Sequence, residues 1–194
     1  MLAWELLAVV LAVTYLVLAI RQNIWCWAAA AISTVIYLFI MFEARLYMES
    51  VLQLFYLAMA AYGWHQWRRH GRPGEDLKVS TWPLSRHAFA IGAVLVLVFA
   101  SGHLLTEYSD AALPHLDSLT TWGAIVATYM VARKILENWV YWFVIDAVSV
   151  GLYLNRGLFL TALLFVGYLV LIIIGYRSWR ASMADPDPEP EPVA

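Results

Sequence analysis

The chain has 194 residues, 63% of them hydrophobic and 13% charged, with a net charge of -2 and a mean hydropathy of +0.70. A soluble domain is nearer half apolar and a quarter charged, so this composition excludes an ordinary soluble enzyme and points to a polytopic membrane protein. There is no basic stripe for nucleic acid, and the single cysteine, Cys26, excludes an intrachain disulfide or a thiolate metal cluster.

The apolar runs predict seven membrane spans. The first covers about residues 2–20; with no basic stretch before it and no small-residue cleavage site after it, it reads as a span and not a cleaved signal. The second, about 24–42, opens with Trp25 and Trp27 at the interface. The third, about 46–67, carries Glu49 and Gln53 on one face and closes on Tyr62-Gly63-Trp64-His65-Gln66-Trp67. A hydrophilic loop, 68–86, has Pro73-Gly74 as its turn signal. The fourth span, 87–106, is a featureless apolar spacer, followed by an acidic external loop at 107–118 that contains Pro114. The fifth and sixth spans cover about 119–131 and 137–158. The seventh runs from about 158 to Tyr176 and is followed by Arg177-Ser178-Trp179-Arg180. The tail, 181–194, is acidic and Pro-rich and is expected to be disordered.

Ten of the 12 Lys and Arg residues fall on one side of this topology, leaving Arg45 and Arg156 on the other. By the positive-inside rule the N-terminus is outside and the C-terminus cytoplasmic. Helices one to three also resemble helices five to seven. Val13-Thr14-Tyr15 aligns with Ala127-Thr128-Tyr129, Trp25 with Trp139, Tyr56 with Tyr168, and Gly63 through Trp67-Arg68 with Gly175 through Trp179-Arg180. The expected architecture is therefore an all-α integral membrane bundle, a parallel 3+1+3 repeat. Residues 1–67 form one unit, 119–180 the other and helix four the link, with the site between the halves near mid-membrane.

The sixth helix carries the chemistry. Spacings of three and four set Trp139, Trp142, Asp146, Ser149 and Tyr153 on one face. Indoles and a carboxylate are costly in hydrocarbon unless they line a protein cavity or a path for something polar. Asp146 is the one acidic residue near the middle of any apolar segment. No histidine pair has metal-ligand spacing within one helix, so no metal is expected. There is no nucleophile–base constellation for an intramembrane enzyme, and no lysine in the seventh span for a retinal Schiff base.

The motifs Glu137-Asn138-Trp139-x-x-Trp142, Leu152-Tyr153-x-x-Arg156-Gly157-Leu158, Gly175-Tyr176-x-x-Trp179-Arg180 and Tyr62-Gly63-Trp64-x-x-Trp67 resemble the PnuC-type nicotinamide riboside (vitamin) transporter family, over about residues 10–182. The resemblance implies a SWEET-like architecture, a homotrimer and a place in the bacterial inner membrane. It also implies facilitated diffusion of nicotinamide riboside, or of thiamine or riboflavin in some members, with trapping by a separate cytoplasmic kinase that feeds NAD biosynthesis. No cofactor and no catalysed reaction are implied. Carried onto this chain, the binding residues are Trp139, Trp142 and Asn138, with Gln53 from the third helix. Asp146 and Tyr129 come from the reading of the residues alone. A pyridinium suits indole faces and a carboxylate. Thiamine, also a flat cation, fits the same constellation; a neutral flavin fits less well. A structural scaffold is the alternative outside transport, and it would tolerate loss of Asp146 or Trp142.

Overall fold

The structure, a computed structural model, describes residues 2–43, 47–69, 77–108, 113–155 and 159–184. Within them the chain forms α1 (Leu2–Ile20), α2 (Trp25–Glu43), α3 (Tyr47–Arg69), α4 (Leu84–Tyr108), α5 (Pro114–Ala132), α6 (Asn138–Asn155) and α7 (Phe159–Ala184). Glu49 and Gln53 both fall on α3, the expected turn at Pro73-Gly74 lies outside the described residues, and of the tail expected to be disordered residues 181–184 continue α7 while the rest lies outside them.

Two boundaries moved for identifiable reasons. α5 starts five residues early because Pro114 opens it. Proline suits the first turn, where no N–H is needed and φ is already set, and Asp117 complements the helix dipole there. α7 runs eight residues past Tyr176, because arginine, serine and alanine continue a helix well after the apolar run stops.

α1 packs on α2, α2 on α3, α3 on α5, α5 on α6, α6 on α7 and α7 on α1, so six helices close a ring, and α4 lies outside it against α5. α4 and Ala162–Ala184 are long and apolar enough to cross a bilayer, and α1, α2 and α6 contain shorter apolar stretches. The outward faces are apolar throughout: Phe39, Phe89, Phe99 and Leu163 are each at least 65% exposed. Apolar surface on this scale belongs in lipid.

One end of the ring is built twice from the same parts, 112 residues apart. α1 and α5 each stop in a left-handed residue, Gln22 (φ 53°) and Lys134 (φ 50°). The closing bonds are Asn23 N to Leu18 O and Gln22 N to Ala19 O in one case, Ile135 N to Met130 O and Lys134 N to Val131 O in the other. Glycine usually fills such a position. Here the side chains supply the compensation: Lys134 Nζ donates to Gln22 Oε1 at 3.0 Å and sits 4.8 Å over the Trp67 ring. Gln22 Nε2 in turn donates to Ser182 Oγ at 2.9 Å.

Behind these turns stand four tryptophans. Trp27 meets Trp67 edge-on at 5.5 Å, Trp139 meets Trp179 edge-on at 5.3 Å, and Trp67 and Trp179 are 6.4 Å apart. The Trp27 ring lies against Gly63 and the Trp139 ring against Gly175. The sequence alignment had set Trp25 opposite Trp139, but packing sets Trp27 there. Trp25 is 62% exposed, edge-on to Trp64, while Trp27 is buried rather than interfacial. The helix-end turns and the glycine contacts fix the register; the shared Thr-Tyr pairs do not.

Gly63→Ala and Gly175→Ala should each lower the thermal midpoint of the detergent-purified protein, because the new Cβ meets ring carbons of a buried indole. Overpacking of this kind costs about 1–3 kcal/mol. Gly167→Ala, where a Cβ meets nothing within 4 Å, should leave the midpoint unchanged or raise it.

Candidate functional site

The amphipathic face expected of α6 is present. Asn138, Trp139, Asp146, Ser149 and Leu152 are buried and Trp142 partly so, while Val140, Phe143, Val144 and Leu154 face outward. Asn138, at the first turn, donates its Nδ2 to Ile135 O at 2.6 Å. Its Oδ1 and the Nε1 of Trp139 and Trp27 are buried without a hydrogen-bond partner among the described residues. Trp139 is enclosed between Gly175 and Trp179 rather than set in an interfacial belt. Trp142, one turn deeper, packs at the edge of the tryptophan core.

Asp146 is 6% exposed and stands about 12 Å along the helix axis from Asn138, which is near the middle of α6. Tyr168 of α7 is within electrostatic range of both Asp146 and Tyr37 of α2. Tyr15 of α1 is likewise within range of Tyr56 of α3. Gln53, half-buried on α3, lies one turn from Tyr56. Among the described residues Asp146 makes no hydrogen bond to Thr128 or Tyr129 of α5. The Thr128 hydroxyl donates to Ala124 O at 2.7 Å, and Tyr129 points to the other side of α5.

Tyr129 stacks on Tyr62 at 6.2 Å and 13° and lies 6.4 Å from Trp82. It lines a cavity of about 420 Å³ with Ser80, Thr81, Arg86 and Arg133, and a more open groove of about 630 Å³ between α3, α4 and α5. Five of the six candidate residues therefore belong to the ring, four of them on one face of α6, and Tyr129 belongs to a separate space near α4.

The sequence reading missed how the segment before α4 is held. Ser80 N donates to Lys134 O at 3.0 Å and Leu136 N to Ser80 O at 2.8 Å, a single parallel bridge between the two connections. Trp82 N donates to Glu137 Oε2 at 3.3 Å, His87 Nε2 is 3.9 Å from Glu137 Oε1, and His87 Nδ1 is 3.0 Å from the Tyr141 hydroxyl. The signal was present: Leu77-Lys78-Val79 alternates as an extended segment does, and Trp82-Pro83 precedes a helix start. Among the described residues no three His, Cys, Asp or Glu side chains gather as a metal would need.

Comparison with known proteins places this ring of helices in a family. The profile described as nicotinamide mononucleotide transporter matches residues 2–181. The chain belongs to this family. It is 31% identical over 175 residues to the riboflavin/roseoflavin transporter RibM of Streptomyces davaonensis, covering 88% of this chain and 81% of that one. It is 26% identical over 187 residues to the nicotinamide riboside transporter PnuC of Escherichia coli, covering 84% and 78%. The crystal structure of the vitamin B3 transporter PnuC superposes with a TM-score of 0.71 at 25% identity, over 92% of this chain and 80% of that one. The PnuC-type resemblance read from the sequence is thus upheld, and with it the seven-helix fold of a vitamin transporter family.

Glu137→Ala removes the acceptor shared by the Trp82 amide and the His87 ring. Backbone amides of residues 79–82 should then exchange with deuterium about tenfold faster, as the loss of a hydrogen bond to a charged group implies. The Trp67 and Trp139 regions should keep their protection.

Proposed function

We propose that the chain carries nicotinamide riboside across the bacterial cytoplasmic membrane by facilitated diffusion, with a separate kinase trapping the vitamin inside. The observation that carries this reading is Asp146, a buried carboxylate near the middle of the ring, on the same helix face as Trp142. A fixed pyridinium cation is attracted to both an indole face and a carboxylate. Asn138 supplies an amide at the first turn of the same helix, and Gln53 a further amide from α3. A phosphorylated product would meet Asp146 and no cation on that face, which favours one-way accumulation. Tyr129 acts from the far side of α5, through its stack on Tyr62.

The parallel 3+1+3 repeat belongs to the same proposal. Its supports are the two matching helix ends, the two Trp–Gly contacts and the ring order, in which α3 meets α5 as α7 meets α1. A cytoplasmic tied end, with the C-terminus of α7, is part of the same reading and is supported by the charge asymmetry. The homotrimer rests on family resemblance.

Riboflavin is the second reading, favoured by the 31% identity to a riboflavin/roseoflavin transporter. It makes a different use of the site: a neutral isoalloxazine gains from stacking on Trp142 and nothing from the charge of Asp146.

Calorimetric titration of the purified protein with nicotinamide riboside, riboflavin and thiamine separates these readings. On the first, the riboside binds saturably and Trp142→Ala weakens it roughly tenfold, as loss of a desolvated cation–π contact implies. Asp146→Asn weakens it as well. Riboflavin binding that is indifferent to Asp146→Asn would select the second reading. Thiamine binding that is lost in Asp146→Asn would keep the site and change the vitamin. Absence of any saturable binding would leave only a scaffold.

A further inference from the structure

The groove between α3, α4 and α5 and the smaller cavity beside it share three walls, the side chains of Trp82, Arg86 and Tyr129. Their linings differ sharply. The groove is lined by Phe55, Phe89, Ala93, Leu97, Trp122 and Val126, and it opens outward along α4, whose own outer face is apolar. The cavity at its end carries Arg86 and Arg133, with Ser80 and Thr81 as hydroxyl donors. Both arginines are exposed, and among the described residues neither guanidinium takes part in a hydrogen bond or ion pair. Ala90 and Ala93 of α4 and Ile125 and Val126 of α5 are also among the lining residues of the groove.

We propose that this composite space is a binding site for one anionic phospholipid of the surrounding bilayer, with an acyl chain in the α3–α4–α5 groove and its phosphate between Arg86 and Arg133. Charge complementarity selects the occupant. An apolar slot alone would accept any chain, and two cations alone would accept any anion. Joined end to end, at the level where α4 enters the membrane, they match a molecule that is apolar along its length and negatively charged at its head. Guanidinium groups take phosphate oxygens in pairs, and Trp82, with one edge on each space, sits where indoles favour the headgroup boundary. The bridge from Ser80 to Lys134 and Leu136 holds the cup rigid. The site is separate from the inner face of α6 and stands whichever vitamin is carried.

The test is native mass spectrometry of the full-length protein released from nanodiscs of phosphatidylcholine mixed with phosphatidylglycerol. Phosphatidylglycerol should be retained over phosphatidylcholine by about tenfold or more, the selectivity two interfacial arginines supply. Arg86→Ala and Arg133→Ala should each remove most of that preference, and Arg86→Lys should keep part of it. Ala93→Trp, which fills the groove and leaves both arginines in place, should abolish retention. Equal retention of the two lipids would overturn the proposal, and this outcome needs no variant to fold. So would retention indifferent to both arginine changes, or displacement of the lipid by glycerol phosphate at the same concentration, which would make the cup a simple anion site. Cross-linking of the groove to a second copy of the chain would assign it to an oligomer interface instead.

Discussion

Two indole N–H groups hold one end of the bundle together. Trp67 Nε1 donates to Ala132 O at 3.2 Å, and Trp179 Nε1 donates to Ala19 O at 3.0 Å. Each acceptor lies in the last turn of a helix, where carbonyls have no partner within the helix. Each donor comes from the other group of three helices: α3 caps α5, and α7 caps α1. Ala19 O also accepts from Gln22 N, so the indole of Trp179 fills its second lone pair, and in a low-dielectric setting such satisfied carbonyls matter more than in water. The caps require Trp67 and Trp179 to reach inward, which brings the two rings within 6.4 Å and leaves Trp27 and Trp139 no position except edge-on against them, over a glycine. The register of α2 on α3 and of α6 on α7 follows from that contact.

With its first turn pinned in this way, α6 must turn the same face inward along its length, and Asp146 arrives near mid-bundle as a result. α2 is pinned identically but is furnished differently. At positions 112 residues earlier it carries Cys26, Ala30, Thr34 and Tyr37 where α6 carries Asn138, Trp142, Asp146 and Ser149. The two tryptophan–glycine contacts are alike, while the polar side chains differ between α2 and α6.

Most of the fold was legible in the sequence because apolar runs of membrane length leave few alternatives. α1 was read to the residue, and the inner face of α6 was set by spacing alone. The boundaries of α5 and α7 were not, since proline at a helix start and polar residues at a helix end look like loop when hydropathy is the guide. Register was misread for a related reason. Repeated Thr-Tyr pairs look like landmarks, but their side chains face different neighbours, and the true landmarks, a left-handed residue and a glycine under an indole, depend on conformation. Trp139 shows the limit for the site. Its position on the face was readable, but its enclosure between Gly175 and Trp179 depends on α7, which no local pattern reports. The strut of Ser80, Trp82, His87, Glu137 and Tyr141 joins residues fifty or more positions apart; its extended segment had a local signal, but its partners had none.

Among the described residues one end gathers several ties between the helix groups: the two indole caps, Lys134 to Gln22, Gln22 to Ser182, and the Ser178 hydroxyl to Ile20 O at 3.3 Å. That end acts as a fulcrum. A helix the length of α1 is a lever of about 28 Å, so a tilt of about ten degrees about the tied end moves its far tip about 5 Å. Parting the tied end, by contrast, means breaking these hydrogen bonds and unstacking the tryptophans.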